Sequence, residues 1–272
     1  MSLSETKRLL RKYQIVPRRL LGQNFLIDPS IFPKLSDYAS LEKSDVVLDV
    51  GAGFGFLTVF LSDKCKMVLA VEKDPKIVEA LRERIEDLSN VCVLEGDIMQ
   101  VELPGFNKLI SIPPYYISSR LVTWLLKREF ECAVLILQKE FAHRLVAPIG
   151  SRSYGWLTVL TYLNAYVELL DSVPKTMFYP GPEVDSVILR FKIRKTLAFE
   201  VSNGFFFKRM VRWLFTQRNK KLGNAIAPFI KVSFNLGDEE TKKRVFSLPF
   251  REKRVMEMAP EAFGEIANVL VG

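Results

Sequence analysis

Cysteine and histidine are scarce in these 272 residues: Cys65, Cys92, Cys132 and a single His143. The cysteines are odd in number, widely spaced and without a CxxC pair, which points away from a disulfide framework and from a zinc site; no metal is expected, and a reducing compartment is. Long apolar runs are also missing. The longest aliphatic stretches, such as Ala133 to Leu137, fall far short of a bilayer span, and the opening MSLSETKRLL has no signal-peptide core. The expectation is a cytoplasmic protein with no membrane partner. Neither low-complexity tracts nor internal repeats are visible. Hydrophobic residues at 49% and charged residues at 26% instead describe an ordinary globular chain, long enough for one large or two unequal domains.

Acidic residues are too few to balance the basic ones, giving a net charge of +8. The excess sits at two places. Residues 1 to 27 carry Lys7, Arg8, Arg11, Lys12, Arg18 and Arg19 against Glu5 alone, while residues 203 to 237 carry seven cations and no Asp or Glu. A body of slight negative charge with two basic segments suits a protein that grips phosphate at those segments. Solvated helix faces are the plainer alternative.

Asp45 to Val50 (DVVLDV) is a short apolar run that breaks into Gly51, Ala52, Gly53, Phe54, Gly55 and then turns helical through Leu57, Phe60 and Leu61. Comparable strands follow at 67–74, 91–97, 107–112 and 132–138, alternating with helices, which argues for a doubly wound, mostly parallel α/β sheet. Trp156 to Asp171 and Ser186 to Ile193 read as further strands, the second closing the sheet. Beyond Arg194 the pattern becomes helical and basic. The expected division is therefore 1–195, an α/β domain with a basic N-terminal segment, and 196–272, a small helical domain.

Gly51, Gly53 and Gly55 allow backbone to approach a ligand at the carboxyl end of the first strand. A tight turn, a dinucleotide site and a methyl-donor site all use such a loop. Glu72, 21 positions after Gly51, is placed to accept both hydroxyls of a ribose, or is a surface carboxylate at a strand end. Gly96 and Asp97 end the third strand and Ile112, Pro113, Pro114 and Tyr115 the fourth, so all four features fall on one sheet edge. A dehydrogenase has no need for the Pro-Pro-Tyr element. It is a rigid turn that presents an aromatic face for stacking on a base, or a structural turn alone.

With these motifs in place the chain resembles the small-subunit ribosomal RNA adenine dimethyltransferases, and among them the archaeal members, from about Tyr13 to Lys221. The resemblance is carried by LGQNFLID (21–28), VLDVGAGFGFLT (47–58), VEKD (71–74), EGD (95–97), IPPYYISS (112–119), LQKEFAHR (137–144), FYPGPEVDS (178–186) and FTQRNKK (215–221). It implies a Rossmann-like S-adenosylmethionine-dependent methyltransferase sheet with a small C-terminal helical domain, basic and RNA-binding. By the same resemblance Gln23, Asn24 and Leu26 cap the S-adenosylmethionine pocket and Gly51 and Gly53 pass beneath the methionine portion. Glu72, followed by Lys73, holds the ribose, and Asp97 takes the adenine amino group, with Ile98 beside the ring. Tyr115 and Phe178 form the two walls around a target adenine, and Arg144, Arg218, Lys220 and Lys221 face RNA phosphate. The implied partner is small-subunit rRNA within the small ribosomal subunit or its precursor, met by a monomer.

One position departs from that family. Ile112 stands where an Asn usually opens the turn, and isoleucine cannot accept a hydrogen bond from the target amine. Backbone carbonyls of Ile112 and Pro113, with Ser111 next door, are the substitutes at hand. An active adenine N6-methyltransferase is the leading expectation, with incomplete methylation as its subsidiary prediction. A ribosome-assembly factor with weak or no activity is the alternative, and a large-subunit resistance methyltransferase a third. His143, in the helical pattern of QKEFAHR, reads as structural or near RNA rather than as a base. Phe205, Phe206, Phe207, Trp213 and Phe215 read as the core of the C-terminal helices, with their interleaved cations as the exposed face.

Overall fold

The computed structural model describes residues 2–17 and 22–272; Arg18 and Arg19 of the basic N-terminal stretch, and Leu21 of the first motif, lie outside the described residues. The strands in chain order are β1 (Phe25–Leu26), β2 (Val46–Val50), β3 (Met67–Glu72), β4 (Val91–Glu95), β5 (Lys108–Ser111), β6 (Cys132–Gln138), β7 (Ala165–Val173), β8 (Phe178–Tyr179) and β9 (Ser186–Ile193). Seven of them form one sheet in the order β4-β3-β2-β5-β6-β9-β7, and β1 pairs antiparallel with β8. β2 to β6 run parallel, and β9 returns antiparallel to β6. Val47–Val50 and Cys132–Leu137 are buried without alternation, the pattern of parallel strands covered on both faces.

The chain forms two compact units. The first comprises residues up to Ala142 together with Val167–Ile193, and the second His143–Tyr166 together with Arg194–Gly272. In the first lie α1 (Leu3–Lys12), α2 (Phe32–Tyr38), α3 (Phe56–Ser62), α4 (Pro75–Arg84) and α5 (Ser118–Leu125), and the division falls within α6 (Lys139–Leu145). The starts of these helices are legible locally. Asp74 accepts from the Lys76 N–H with Pro75 in the first turn of α4, and Ser2 accepts from the Glu5 N–H at α1.

The second unit holds α7 (Trp156–Asn164), α8 (Gly204–Phe215), α9 (Leu222–Phe234), α10 (Asp238–Phe246) and α11 (Pro260–Val271). Two sequence expectations are corrected here. Trp156 to Asp171 is not one strand but α7 followed by β7, and 143–166 belongs with the helical unit rather than inside a 1–195 domain. Six of nine α7 residues, including β-branched Thr158, Val159 and Thr161, are buried, so no polar face marked the helical period. Tyr154 holds this segment to the C-terminal helices: its hydroxyl donates to the Met258 carbonyl at 2.8 Å, and its ring meets Phe215 edge-on. Of the aromatic cluster, Phe206 and Phe207 are core, but Phe205 is 72% exposed and Trp213 37%.

Candidate active site

A cavity of about 800 Å³ opens at the carboxyl ends of β2, β3, β4 and β5, where ligands bind in sheets of this kind. Its floor is the turn after β2. Gly51, Gly53 and Gly55 all adopt positive φ, and Gly51 is pressed so closely onto the Pro114 ring that a Cβ there would lie 2.5 Å from Cδ. The glycine turn and the Pro-Pro-Tyr turn are thus fitted to each other. Gly22, also at positive φ, sits as tightly on the Tyr115 backbone, and β1 pairs Leu26 with Phe178 of β8. Three motifs distant in sequence are stitched into one wall.

Glu72 ends β3 almost fully buried. Its Oε1 accepts from the N–H groups of Lys73 (2.7 Å) and Asp74 (3.0 Å) and its Oε2 from that of Gly53 (3.0 Å), leaving Oε2 with acceptor capacity toward the cavity. Burial raises its pKa against those three donors. Asp97 is held the other way: the Met99 N–H bonded to Oδ1 at 3.0 Å is the main cause of a lowered pKa, with Lys73 Nζ 3.3 Å from Oδ2 adding to it. The cavity therefore offers two carboxylate acceptors, one beside a glycine turn and one at the next strand end, with the apolar Ile98, Ile112 and Pro114 on the walls.

Gln23, Asn24, Gly51, Gly53, Glu72, Lys73, Asp97, Ile98, Ile112 and Pro114 all line this cavity. Leu26 does not; it is buried and lines a smaller recess with Asn24, Asp49 and Ile112. Pro113 is buried. Tyr115 directs its hydroxyl to Ser186 Oγ at 2.6 Å and its ring edge-on to Phe178, centroids 6.3 Å apart, while Tyr116 and Ile117 contribute to the cavity wall. Burial pushes the Tyr115 phenol up to about 12, against the Ser186 bond, so the ring stays neutral. Ser111 is fully buried and lines neither the cavity nor the recess, and its hydroxyl is held by Val50, donating to the carbonyl at 2.6 Å and accepting from the N–H at 3.2 Å, so it does not reach a ligand at the turn. His143 and Arg144 are exposed, in the helical unit with Arg218, Lys220 and Lys221. Arg218 donates to the carbonyls of Ser151 and Arg152, and Lys221 pairs with Glu252 at 2.8 Å.

Two residues escaped the sequence reading. Asp49, fully buried at the recess, accepts from Thr58 Oγ1 at 2.8 Å, and burial pushes its carboxyl up to about 7, aided by nearby Glu72. A carboxylate inside an apolar strand was the available signal. Ser186 carries no signal of its own, because its role exists only once β9 lies beside the fourth-strand turn.

The sequence profile described as Ribosomal RNA adenine dimethylase matches residues 17–242. Proteins named probable ribosomal RNA small subunit methyltransferase A are similar over nearly the whole chain. That of Methanosarcina mazei is 38% identical over 264 residues, 96% of either chain. That of Thermococcus gammatolerans is 40% identical over 257 residues, 93% of this chain and 89% of its own. Among solved structures, a dimethyladenosine transferase from Plasmodium falciparum superposes with a TM-score of 0.74 at 28% identity, over 89% of this chain and 95% of that one. The 23S rRNA methyltransferase ErmE gives 0.64 at 26%, over 92% and 100%.

Proposed function

The chain belongs to the ribosomal RNA adenine dimethylase family, and on that premise we propose that it transfers methyl groups from S-adenosylmethionine to N6 of adjacent adenines near the 3′ end of small-subunit rRNA during ribosome biogenesis, acting as a monomer in the cytoplasm. The observation that carries this reading is the cavity itself, with Glu72 and Asp97 on successive strand ends above a glycine turn that is fitted to Pro114. Relatives named for the small subunit at 38–40% identity, against 26% to a 23S enzyme, favour the small subunit over the large.

S-adenosylmethionine supplies an already activated methyl group, so the protein needs alignment more than acid–base chemistry. Glu72 Oε2 is placed to accept ribose hydroxyls, Asp97 to accept the amino group of the cofactor's adenine, and Gly51 and Gly53 to admit the methionine portion against bare backbone. Tyr115, anchored by Ser186, offers a ring to the target adenine; Phe178, buried and edge-on to Tyr115 with centroids 6.3 Å apart, leaves no room for a base between the two rings and so backs Tyr115 instead of forming the second wall that the resemblance implies. With S-adenosylmethionine held by Glu72, Asp97 and the Gly51–Gly53 turn, the cofactor would supply the methyl group, and the protein's part would be to hold the target amine in line with it. Ile112 supplies no side-chain acceptor for that amine, which falls to backbone carbonyls of the turn. By analogy with losing one oriented donor at an oxyanion this slows transfer about a hundredfold without abolishing it. An assembly factor without chemistry is the less favoured reading, since the cofactor side of the cavity is complete.

The test is transfer of labelled methyl from S-adenosylmethionine to unmethylated small subunits. Incorporation is expected, lost in Glu72→Ala through cofactor binding and in Tyr115→Ala with cofactor binding retained. Unaltered incorporation in both variants would remove this assignment of the cavity.

A further inference from the structure

One face of α8 carries no residue of the cavity or of the motifs described above. Helical spacing brings Phe205, Arg209, Arg212 and Trp213 to the same side, exposed, while Phe206, Phe207, Met210, Val211 and Leu214 fill the core behind them. Phe205, at 72% exposure, is a large apolar ring presented to water. The Arg209 guanidinium stands 5.6 Å from its centroid, and that of Arg212 4.3 Å from the ring of Trp156. Among the described residues neither arginine pairs with a carboxylate, and residues 203 to 237 contain no Asp or Glu. The cations the motifs singled out differ: Arg218 and Lys221 spend their donors on protein carbonyls and on Glu252.

Exposed aromatics interleaved with unpaired arginines on a helix that carries no Asp or Glu fit a polyanion whose bases are free to stack. A duplex offers no base face to Phe205, and RNA is read chiefly where its bases are unstacked. The 12 residues of α8 extend about 18 Å, the reach of a few nucleotides. We propose that this face of α8 binds an unpaired stretch of RNA, one base stacking on Phe205 and phosphates taken by Arg209 and Arg212. The proposal rests on the rRNA reading above and assigns a grip on the substrate to residues outside the motifs.

The experiment measures binding of the full-length protein to small ribosomal subunits and to protein-free small-subunit rRNA between 50 and 200 mM salt (about the range in which phosphate contacts are read), with S-adenosylmethionine affinity of each variant as the check on folding. Phe205→Ala is expected to weaken RNA binding about 5- to 150-fold with an unchanged salt slope, and Phe205→Trp to restore it. The double variant Arg209→Ala/Arg212→Ala is expected to lower the log–log salt slope by about 1.4–1.8. Cofactor affinity stays at the wild-type value throughout. Wild-type RNA affinity and slope in these variants overturn the proposal. So does a loss on whole subunits with none on naked rRNA, which assigns the face to a ribosomal protein. A wild-type chain that binds neither target removes the rRNA reading itself, a different result from variants that bind normally.

Discussion

Ile112 is the one position of the fourth-strand turn where the proposed chemistry meets a departure from the family's residue. It lines both the cavity and the recess beside Asn24 and Asp49, so its identity is felt at the reacting end of the site. Ser111, buried and bonded to Val50, does not take over the missing acceptor. Ile112→Asn is therefore expected to raise single-turnover methyl transfer about tenfold to a hundredfold, with cofactor affinity little changed; an unchanged rate shows that the backbone carbonyls already suffice. Asp49 makes a second residue-scale prediction. Its carboxyl titrates at about 7 in the fold, against about 4 in an unfolded chain. Between those values the native state holds more protons than the unfolded one, so stability falls as pH rises from about 4 through 7 and levels off above. Asp49→Asn, which keeps an acceptor for Thr58, is expected to melt a few degrees above wild type at pH 8 and to lose that advantage near pH 4. An advantage equal at both pH values would rule out titration of Asp49 as its source. The glycines, Glu72 and Asp97 were legible because motif spacing and strand ends coincide; Asp49 and Ser186 were not, since partners across the sheet define them.

At the scale of elements, the site depends on loops that fit one another. Gly51 faces Pro114 and Gly22 faces the Tyr115 backbone, and each needs both a positive φ and the absence of a Cβ. Gly51→Ala meets a left-handed backbone cost of about 1–2 kcal/mol and a clash with the proline ring. It is expected to lower the melting temperature by several degrees and to weaken S-adenosylmethionine binding at least tenfold; wild-type affinity in calorimetry would show that the two turns are not coupled. The parallel strands are readable as unbroken apolar runs because both faces are covered; β9 is readable as a strand of the same sheet but does not close it, since it lies between β6 and β7 and β7 takes the edge. α7 was not, because burial on nearly every side erased its period and its β-branched residues mimic a strand. The α8 aromatics show the converse error. Phe205 reads as core with Phe206 and Phe207, yet one helical step turns it to solvent.

At the scale of the molecule, charge and chemistry are divided between segments. The first unit concentrates carboxylates in a cavity at the sheet edge, and the second carries a basic, aromatic helix face with no acid within the same stretch. A single boundary near 195 was the natural reading of a chain whose strands end there, but His143–Tyr166 leaves the sheet unit for the helical one and returns through β7, which sequence order alone does not reveal. The central claim is that these parts together methylate adenine in small-subunit rRNA despite Ile112. The most direct measurement is nucleoside mass spectrometry, with fragment mapping, of small subunits from cells lacking the modification after incubation with this protein and S-adenosylmethionine. The account predicts N6-methylated adenosine confined to adjacent adenines near the 3′ end of the small-subunit rRNA, accumulating slowly. No methylated adenosine, from protein that binds both the cofactor and the subunit, would contradict it and leave an assembly factor in its place.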